Sequence, residues 1–105
     1  MSELDGCSAA EPYALRVIGD SMMPEFEEGH IIIVDPVMPA TCGAYVVIDY
    51  NGETTFRQFV TEGDRHFLKA LDTRIPPVEL VGEYRVRGVV VQRSGRGRRN
   101  IKHYA

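Results

Sequence analysis

Ser21 is the residue of this sequence whose setting most clearly invites chemistry. It lies in GDSMMPEFEEGHIIIVDP, residues 19–36, between an aspartate and two methionines. A serine in that setting can cap a short helical turn, with Pro24 near its beginning. It can also be a nucleophile, although a free hydroxyl is weak unless an adjacent base takes its proton. Local chemistry favours the cap and leaves the nucleophile open.

The other reactive side chains form no recognisable site around Ser21. No G-x-S-x-G nucleophile elbow surrounds it, and His30, nine residues on, is placed at a strand start. The cysteines and histidines are scattered, without the spacing of metal ligands. The sequence therefore predicts neither a metal site nor a cofactor.

The composition is that of an ordinary globular protein. The chain has 105 residues, of which 44% are hydrophobic and 26% charged, and this fits one domain. No apolar run approaches the roughly 18 residues needed to span a bilayer, and the acidic N-terminus is not a secretory signal. We expect a cytoplasmic protein that is not bound to a membrane. The net charge of −3 hides an asymmetry, because residues 93–105 carry five basic and no acidic side chains.

The elements that must position Ser21 are predicted to be strands. Alternation predicts a strand over residues 13–18, and the β-branched run 31–34 predicts one buried on both faces. Asn51-Gly52, between two alternating runs, predicts a type I′ hairpin that places Val46 opposite Arg57. Six or seven short strands with regular turn signals indicate a mainly β domain.

The segment VIGDSMMPEFEEGHIIIVDP resembles the active-site segment of the LexA-like self-cleaving serine–lysine peptidases, which include LexA, the phage repressors and the UmuD proteins. The resemblance extends from residue 13 to about residue 92. It implies a LexA/signal-peptidase-like fold of several small coiled antiparallel sheets with little helix. The matching residues are Gly19, Asp20, Ser21, Met22, Pro24, Gly29, Val34 and Asp35.

These observations divide the chain into three predicted parts. Residues 1–12 are predicted to be a flexible lead-in, residues 13–93 the peptidase-fold domain, and residues 94–105 a basic, solvated tail.

By this resemblance Ser21 is the nucleophile, and Gly19, Asp20, Met22 and Pro24 line its site. Met22 is also predicted to fill the core beside the serine turn. The family partner of the serine is a buried lysine 36 or 37 residues further on. Burial disfavours the charged form of such a lysine and lowers its pKa, so the neutral amine can take the serine proton.

Counting 36 residues from Ser21 reaches Arg57 in place of that lysine. A guanidinium keeps its proton in protein sites, so Arg57 is not a general base, although it can donate hydrogen bonds to Ser21 or Asp20. Self-cleavage, which in the family occurs typically at Ala-Gly or Cys-Gly, is therefore predicted to be lost. The alternative is an active serine endopeptidase that uses Ser21 with an unusual base.

The resemblance implies a LexA/UmuD-like domain of a bacterial or phage transcriptional or SOS regulator that serves dimerisation or interaction. A homodimer is expected through the strand at residues 83–93. The implied trigger is a RecA–single-strand DNA filament. DNA is expected to be contacted through a helix-turn-helix domain that is removed or missing here, or weakly through the tail at residues 94–105.

Overall fold

The computed structural model describes residues 11–95 and 101–104, which form eight β-strands. The strands are β1 (Tyr13–Arg16), β2 (Ile31–Asp35), β3 (Tyr45–Tyr50), β4 (Glu53–Glu62), β5 (Arg65–Lys69), β6 (Val78–Glu79), β7 (Arg85–Ser94) and β8 (Ile101–His103). Every pairing is antiparallel. The prediction of a mainly β fold with antiparallel strands is confirmed, and the strands join in one sheet.

Within the described ranges there is no helix that could cross a membrane by its length and apolar character. The same residues contain no group of three or more His, Cys, Asp or Glu side chains arranged to hold a metal ion.

The strands form one sheet in the order β1-β2-β7-β3-β4-β5-β6, with β8 beside β7. Strand β7 lies in the interior of this sheet. Val89 pairs with both β2 and β3, and residues 92–94 pair with both β2 and β8. Both sides of β7 are therefore occupied at these residues, whereas between residues 85 and 88 the described pairings occupy only the side that faces β3. The homodimer through the strand at residues 83–93 stays a prediction.

The hairpin between β3 and β4 forms as the sequence predicts. Asn51 and Gly52 have φ angles of 53° and 80°, the left-handed values that a type I′ turn requires. The turn fixes the register, which pairs Tyr50 with Glu53 and Val46 with Arg57. The two-residue turn thus fixes the position of Arg57 in the sheet, opposite Val46.

Two apolar clusters cover the sheet, and β3 contributes to both. Val47 belongs to the first cluster, whereas Val46 and Ile48 belong to the second. Strand β2 is less covered than predicted: its alternate residues Ile32 and Val34 are buried, and the others are only half-buried. The reason is that the first cluster covers one face of β2, whereas the second cluster contains no residue of this strand. The first cluster consists of Val17, Met22, Phe26, Ile32, Val34, Val47 and Val90.

Residues 101–104 are part of the fold, contrary to the expectation of a solvated tail. Strand β8 pairs with β7, and the ring of Tyr104 lies 5.5 Å from the ring centroids of both Phe26 and Tyr45. Sheet pairing and aromatic burial together outweigh the solvation of this polar segment. Residues 96–100 and 105 of the predicted basic tail, and residues 1–10 of the predicted lead-in, lie outside the described residues.

Gly88 of β7 is required by the close approach of β2. A β-carbon at this position would overlap Cγ1 of Val34 and would lie 3.0 Å from the carbonyl oxygen of Asp35. Gly88→Ala is therefore expected to lower the free energy of unfolding by about 1–3 kcal/mol, the usual cost of overpacking. Urea denaturation measures this change, and a midpoint equal to that of the native protein would contradict it.

Candidate active site

Ser21 lies in a series of turns that connects β1 to β2. Gly19, with a φ angle of 85°, takes the left-handed conformation that redirects the chain after β1. Met22 and Phe26 anchor the turns in the first cluster, with exposed fractions of 2% and 0%. Met22 thus fills the core beside the serine, as predicted. The backbone N–H of Asp72 donates to the carbonyl oxygen of Ser21 over 2.9 Å and holds the serine from the other side.

Arg57 of β4 contacts Ser21 directly. Its Nη1 atom donates to Oγ of Ser21 over 3.2 Å and to the carbonyl oxygen of Phe56 over 2.7 Å. The contact joins two half-buried side chains that lie 36 positions apart in the sequence. One helical turn follows Ser21, closed by the Phe26 N–H that donates to the carbonyl oxygen of Met22 over 2.9 Å. In the described residues, however, the hydroxyl of Ser21 accepts from Arg57 and not from a backbone N–H, so the helix-cap interpretation is not supported.

Ser21 and Arg57 line a cleft of about 390 Å³. Residues 15–19, which begin in β1 and continue beyond it, form one wall of the cleft. Residues 54–57 of β4 form the other wall. Successive residues of a strand point to opposite faces, so a cleft lined by consecutive residues runs along strand edges. In the described part of the chain, β1 pairs only with β2, and residues 53–57 pair only with β3. Each wall therefore presents unpaired backbone groups.

No general base lines this cleft among the residues that the structure describes. Its charged side chains are Arg16 and Arg57, and it contains no lysine, histidine, aspartate or glutamate. Both lysines of the sequence lie elsewhere. Lys69 is exposed on β5, and Nζ of Lys102 donates to Glu25 over 2.7 Å.

Asp72, whose backbone N–H holds Ser21, carries a carboxylate that is a poor base. The Arg74 side chain, which donates over 2.8 Å and 3.0 Å, lowers the pKa of Asp72 to about 2, and the backbone N–H of Arg74 adds to this. A carboxylate with so low a pKa has little tendency to accept the proton of a serine hydroxyl.

The predicted site residues divide into two groups. Gly19 and Met22 line the cleft together with Ser21 and Arg57. Asp20 and Pro24 do not; they line a separate shallow depression beside residues 71–74. The structure thus brings four of the six predicted residues into one cleft.

Glu25 lies in the turns after Ser21, outside the lining of the cleft, and has a structural role that the sequence did not reveal. Its Oε2 atom accepts hydrogen bonds from Nζ of Lys102 over 2.7 Å and from the hydroxyl of Tyr104 over 2.5 Å. Its carbonyl oxygen accepts from Nη1 of Arg93 over 2.5 Å. These bonds tie the turns after Ser21 to β7 and β8. The Lys102 bond, followed by the Tyr104 bond, holds the pKa of Glu25 below its usual value of 4.5.

Glu25 should make the stability of the fold sensitive to acid. Because the pKa of Glu25 is lower in the folded than in the unfolded chain, its ionised form stabilises the fold. This stabilisation is fully present above the unfolded pKa and is lost as the pH falls through the folded value. Glu25→Gln is expected to lower the free energy of unfolding at neutral pH by about 1.5 kcal/mol, a typical value for a hydrogen bond to a charged group.

Urea denaturation at several pH values below neutral measures this effect. The difference between Glu25→Gln and the native protein should shrink in acid. Glu28→Gln, on the exposed side of the same turns, is the control and should follow the native profile. A constant difference at every pH would contradict the role of Glu25.

Known proteins resemble this chain over most of its length. The sequence profile of peptidase S24-like proteins matches residues 4–91. The chain is 41% identical over 91 residues to the prophage repressor CohE of Escherichia coli. It is 38% identical over 95 residues to an HTH-type transcriptional regulator for the conjugative element SXT of Vibrio cholerae, and 39% identical over 67 residues to a LexA repressor of Syntrophobacter fumaroxidans.

These matches cover 83%, 84% and 63% of this chain, but 40%, 42% and 32% of the respective relatives. The chain therefore spans about two fifths of the length of the first two.

Proposed function

Because this chain belongs to the peptidase S24-like family, we propose that it is the peptidase-fold domain of a bacterial or phage transcriptional regulator in which self-cleavage has been lost. Three relatives named as repressors or transcriptional regulators support the regulatory part of this proposal. The observation that carries the loss of cleavage is the Ser21 cleft, whose described lining contains two arginines and no base.

The chemistry of attack explains why this lining matters. When a serine oxygen bonds to a peptide carbonyl carbon, the hydroxyl proton must pass to a base. Arg57 donates to Oγ of Ser21, and a guanidinium has no lone pair with which to accept that proton. The described lining of the cleft therefore lacks the group that would make the serine attack.

One observation favours the alternative, an active endopeptidase. Ser21 lines an open cleft, and the cation that donates to its oxygen would stabilise a serine alkoxide once this had formed. Activity would then depend on an unusual base, such as hydroxide ion or a group supplied by the substrate.

Cleavage assays separate the two functions. The native protein and Ser21→Ala are incubated at neutral and alkaline pH with a peptide containing an Ala-Gly bond between apolar residues, and the products are followed by mass spectrometry. We expect no difference between the two proteins. Cleavage by the native protein that disappears in Ser21→Ala would establish the endopeptidase instead.

The partners that we propose are those of the whole regulator to which this domain would belong. We propose DNA contact through a helix-turn-helix segment of that regulator, in line with the HTH-type relative, and a location in the cytoplasm. Homodimerisation through the strand at residues 83–93 is part of the same proposal, with residues 85–88, which pair with β3 alone among the described strands, as the edge for a second copy. The RecA–single-strand DNA filament stays a prediction from the resemblance, and without a base the cleavage that it would trigger does not follow.

A further inference from the structure

We infer that the Ser21 cleft is a binding site for an extended peptide with an acidic side chain, and that the carboxylate is bound by Arg57. The inference rests on the proposed function, because it requires a cleft that holds a peptide without cutting it. Arg57, which stands where the family has its lysine, would then recognise an anion at the position that the family uses for catalysis.

The inference rests first on the N–H groups of Arg57 that make no hydrogen bond within the described residues. A guanidinium has five N–H donors. In the described residues, hydrogen bonds to Ser21 and Phe56 engage Nη1 alone. The Nε–H group and the Nη2 donors remain available, and these two nitrogens form the fork that binds a carboxylate through two parallel hydrogen bonds. Ser21 and Phe56 hold the guanidinium plane, so the fork is fixed before a ligand arrives.

The inference rests secondly on the positive charge of the cleft. Arg16 and Arg57 are its charged lining residues, and none of its described lining side chains is acidic. This local positive charge contrasts with the rest of the molecule, since residues 1–92 carry a net charge of −8. In the described part of the chain, no carboxylate lies within the 4.0 Å ion-pair distance of either arginine. An anionic ligand would supply the missing counter-charge.

The walls of the cleft select a peptide rather than another anion. The unpaired edges of β1 and of residues 53–57 offer backbone donors and acceptors to an extended chain, as in strand addition. Leu15 and Ile18, exposed by 38% and 82%, line the same cleft and provide apolar surface for the residues that flank the acid.

Space for further residues of the peptide lies on the side of the cleft away from Ser21. A second depression, lined by Tyr13, Arg85 and Arg87, shares Leu15, Val47 and Thr54 with the Ser21 cleft. A peptide whose acidic residue contacts Arg57 therefore has space to run on past β1.

The test compares two peptides on the unaltered 105-residue chain. The probes are acetylated and amidated Val-Ala-Glu-Ala-Val and its Gln counterpart, each titrated into ¹⁵N-labelled protein and followed by NMR. We expect the Glu peptide to bind about tenfold more tightly, as a charged hydrogen-bond pair would produce, and to shift the Nε–H signal of Arg57. Equal affinity of the two peptides would overturn the inference. This comparison uses only the native protein, so it does not depend on the folding of a variant.

Two variants and a third peptide locate the interaction. Arg57→Gln should lose most of the difference between the two peptides, whereas Lys69→Gln, which removes a cation outside the cleft, should keep it. If Arg57→Gln keeps the difference, the inference fails. A Gln peptide with a free C-terminal carboxylate should bind like the amidated one; binding as tight as that of the Glu peptide would mean that the site recognises a chain end, against the inference.

Mass spectrometry of the same samples separates this inference from the proposed function. Intact peptides support both. If the peptides are cleaved, the loss of peptidase activity is refuted, and the titrations are repeated with Ser21→Ala. A Glu preference in that variant still supports carboxylate recognition, and its absence overturns it.

Discussion

Arg57→Lys is expected to convert the inert cleft into a working peptidase site. The lysine would occupy a half-buried position beside Ser21, where partial burial disfavours its charge and lowers its pKa. Its neutral amine can then accept the hydroxyl proton. A positioned general base contributes about 10²–10⁴-fold to a rate, so cleavage of the Ala-Gly peptide at alkaline pH should exceed that of the native protein by a factor in this range.

Two controls give this result its meaning. The double variant Arg57→Lys with Ser21→Ala should be as inert as the native protein, because the amine would have no nucleophile to activate. Arg57→Gln should also be inert, since it removes the cation without adding a base. A folded Arg57→Lys protein with no activity would show that the arginine alone does not account for the missing cleavage.

Phe26→Ala is expected to have the largest effect on stability. Phe26 has an exposed fraction of 0%, and its ring lies 4.8 Å from Tyr45, 4.9 Å from Phe56 and 5.5 Å from Tyr104, measured between centroids. Removing a buried phenylalanine costs about 3–5 kcal/mol, and small domains have only about 5–15 kcal/mol in total. The variant should therefore lose a large part of its free energy of unfolding.

Guanidinium denaturation measures this loss, with Val37→Ala as the matched control. Val37 is 65% exposed, so its truncation should change the free energy of unfolding by less than about 0.5 kcal/mol. A loss below about 1 kcal/mol for Phe26→Ala would mean that the cavity collapses and that this aromatic cluster is not the centre of the core.

The sequence predicts the parts of this fold that local rules govern. Asn51-Gly52 demands positive φ angles, so it determines the hairpin, its register and the pairing of Val46 with Arg57. The meeting of Ser21 and Arg57 is different, because no local rule links residues 36 positions apart. That contact could be predicted only from the family resemblance.

Long-range contacts account for what the sequence did not predict. Tyr104 and Glu25 are 79 positions apart, and the short segment that contains Tyr104 has no periodicity to mark it as a strand. The interior position of β7 depends on pairings with β2, β3 and β8, which alternation along one strand cannot specify. The backbone link from Asp72 to Ser21 involves an N–H group and so leaves no side-chain signal.

The central claim is that no residue in the described lining of the cleft activates the Ser21 hydroxyl, and the reactivity of this hydroxyl tests the claim most directly. The native protein and Ser21→Ala are treated with an alkyl fluorophosphonate, which modifies activated serines, from neutral to alkaline pH and analysed by intact-mass spectrometry. The account predicts the same background modification in both proteins at every pH. An adduct that forms on Ser21 of the native protein, above the level in Ser21→Ala, would contradict it.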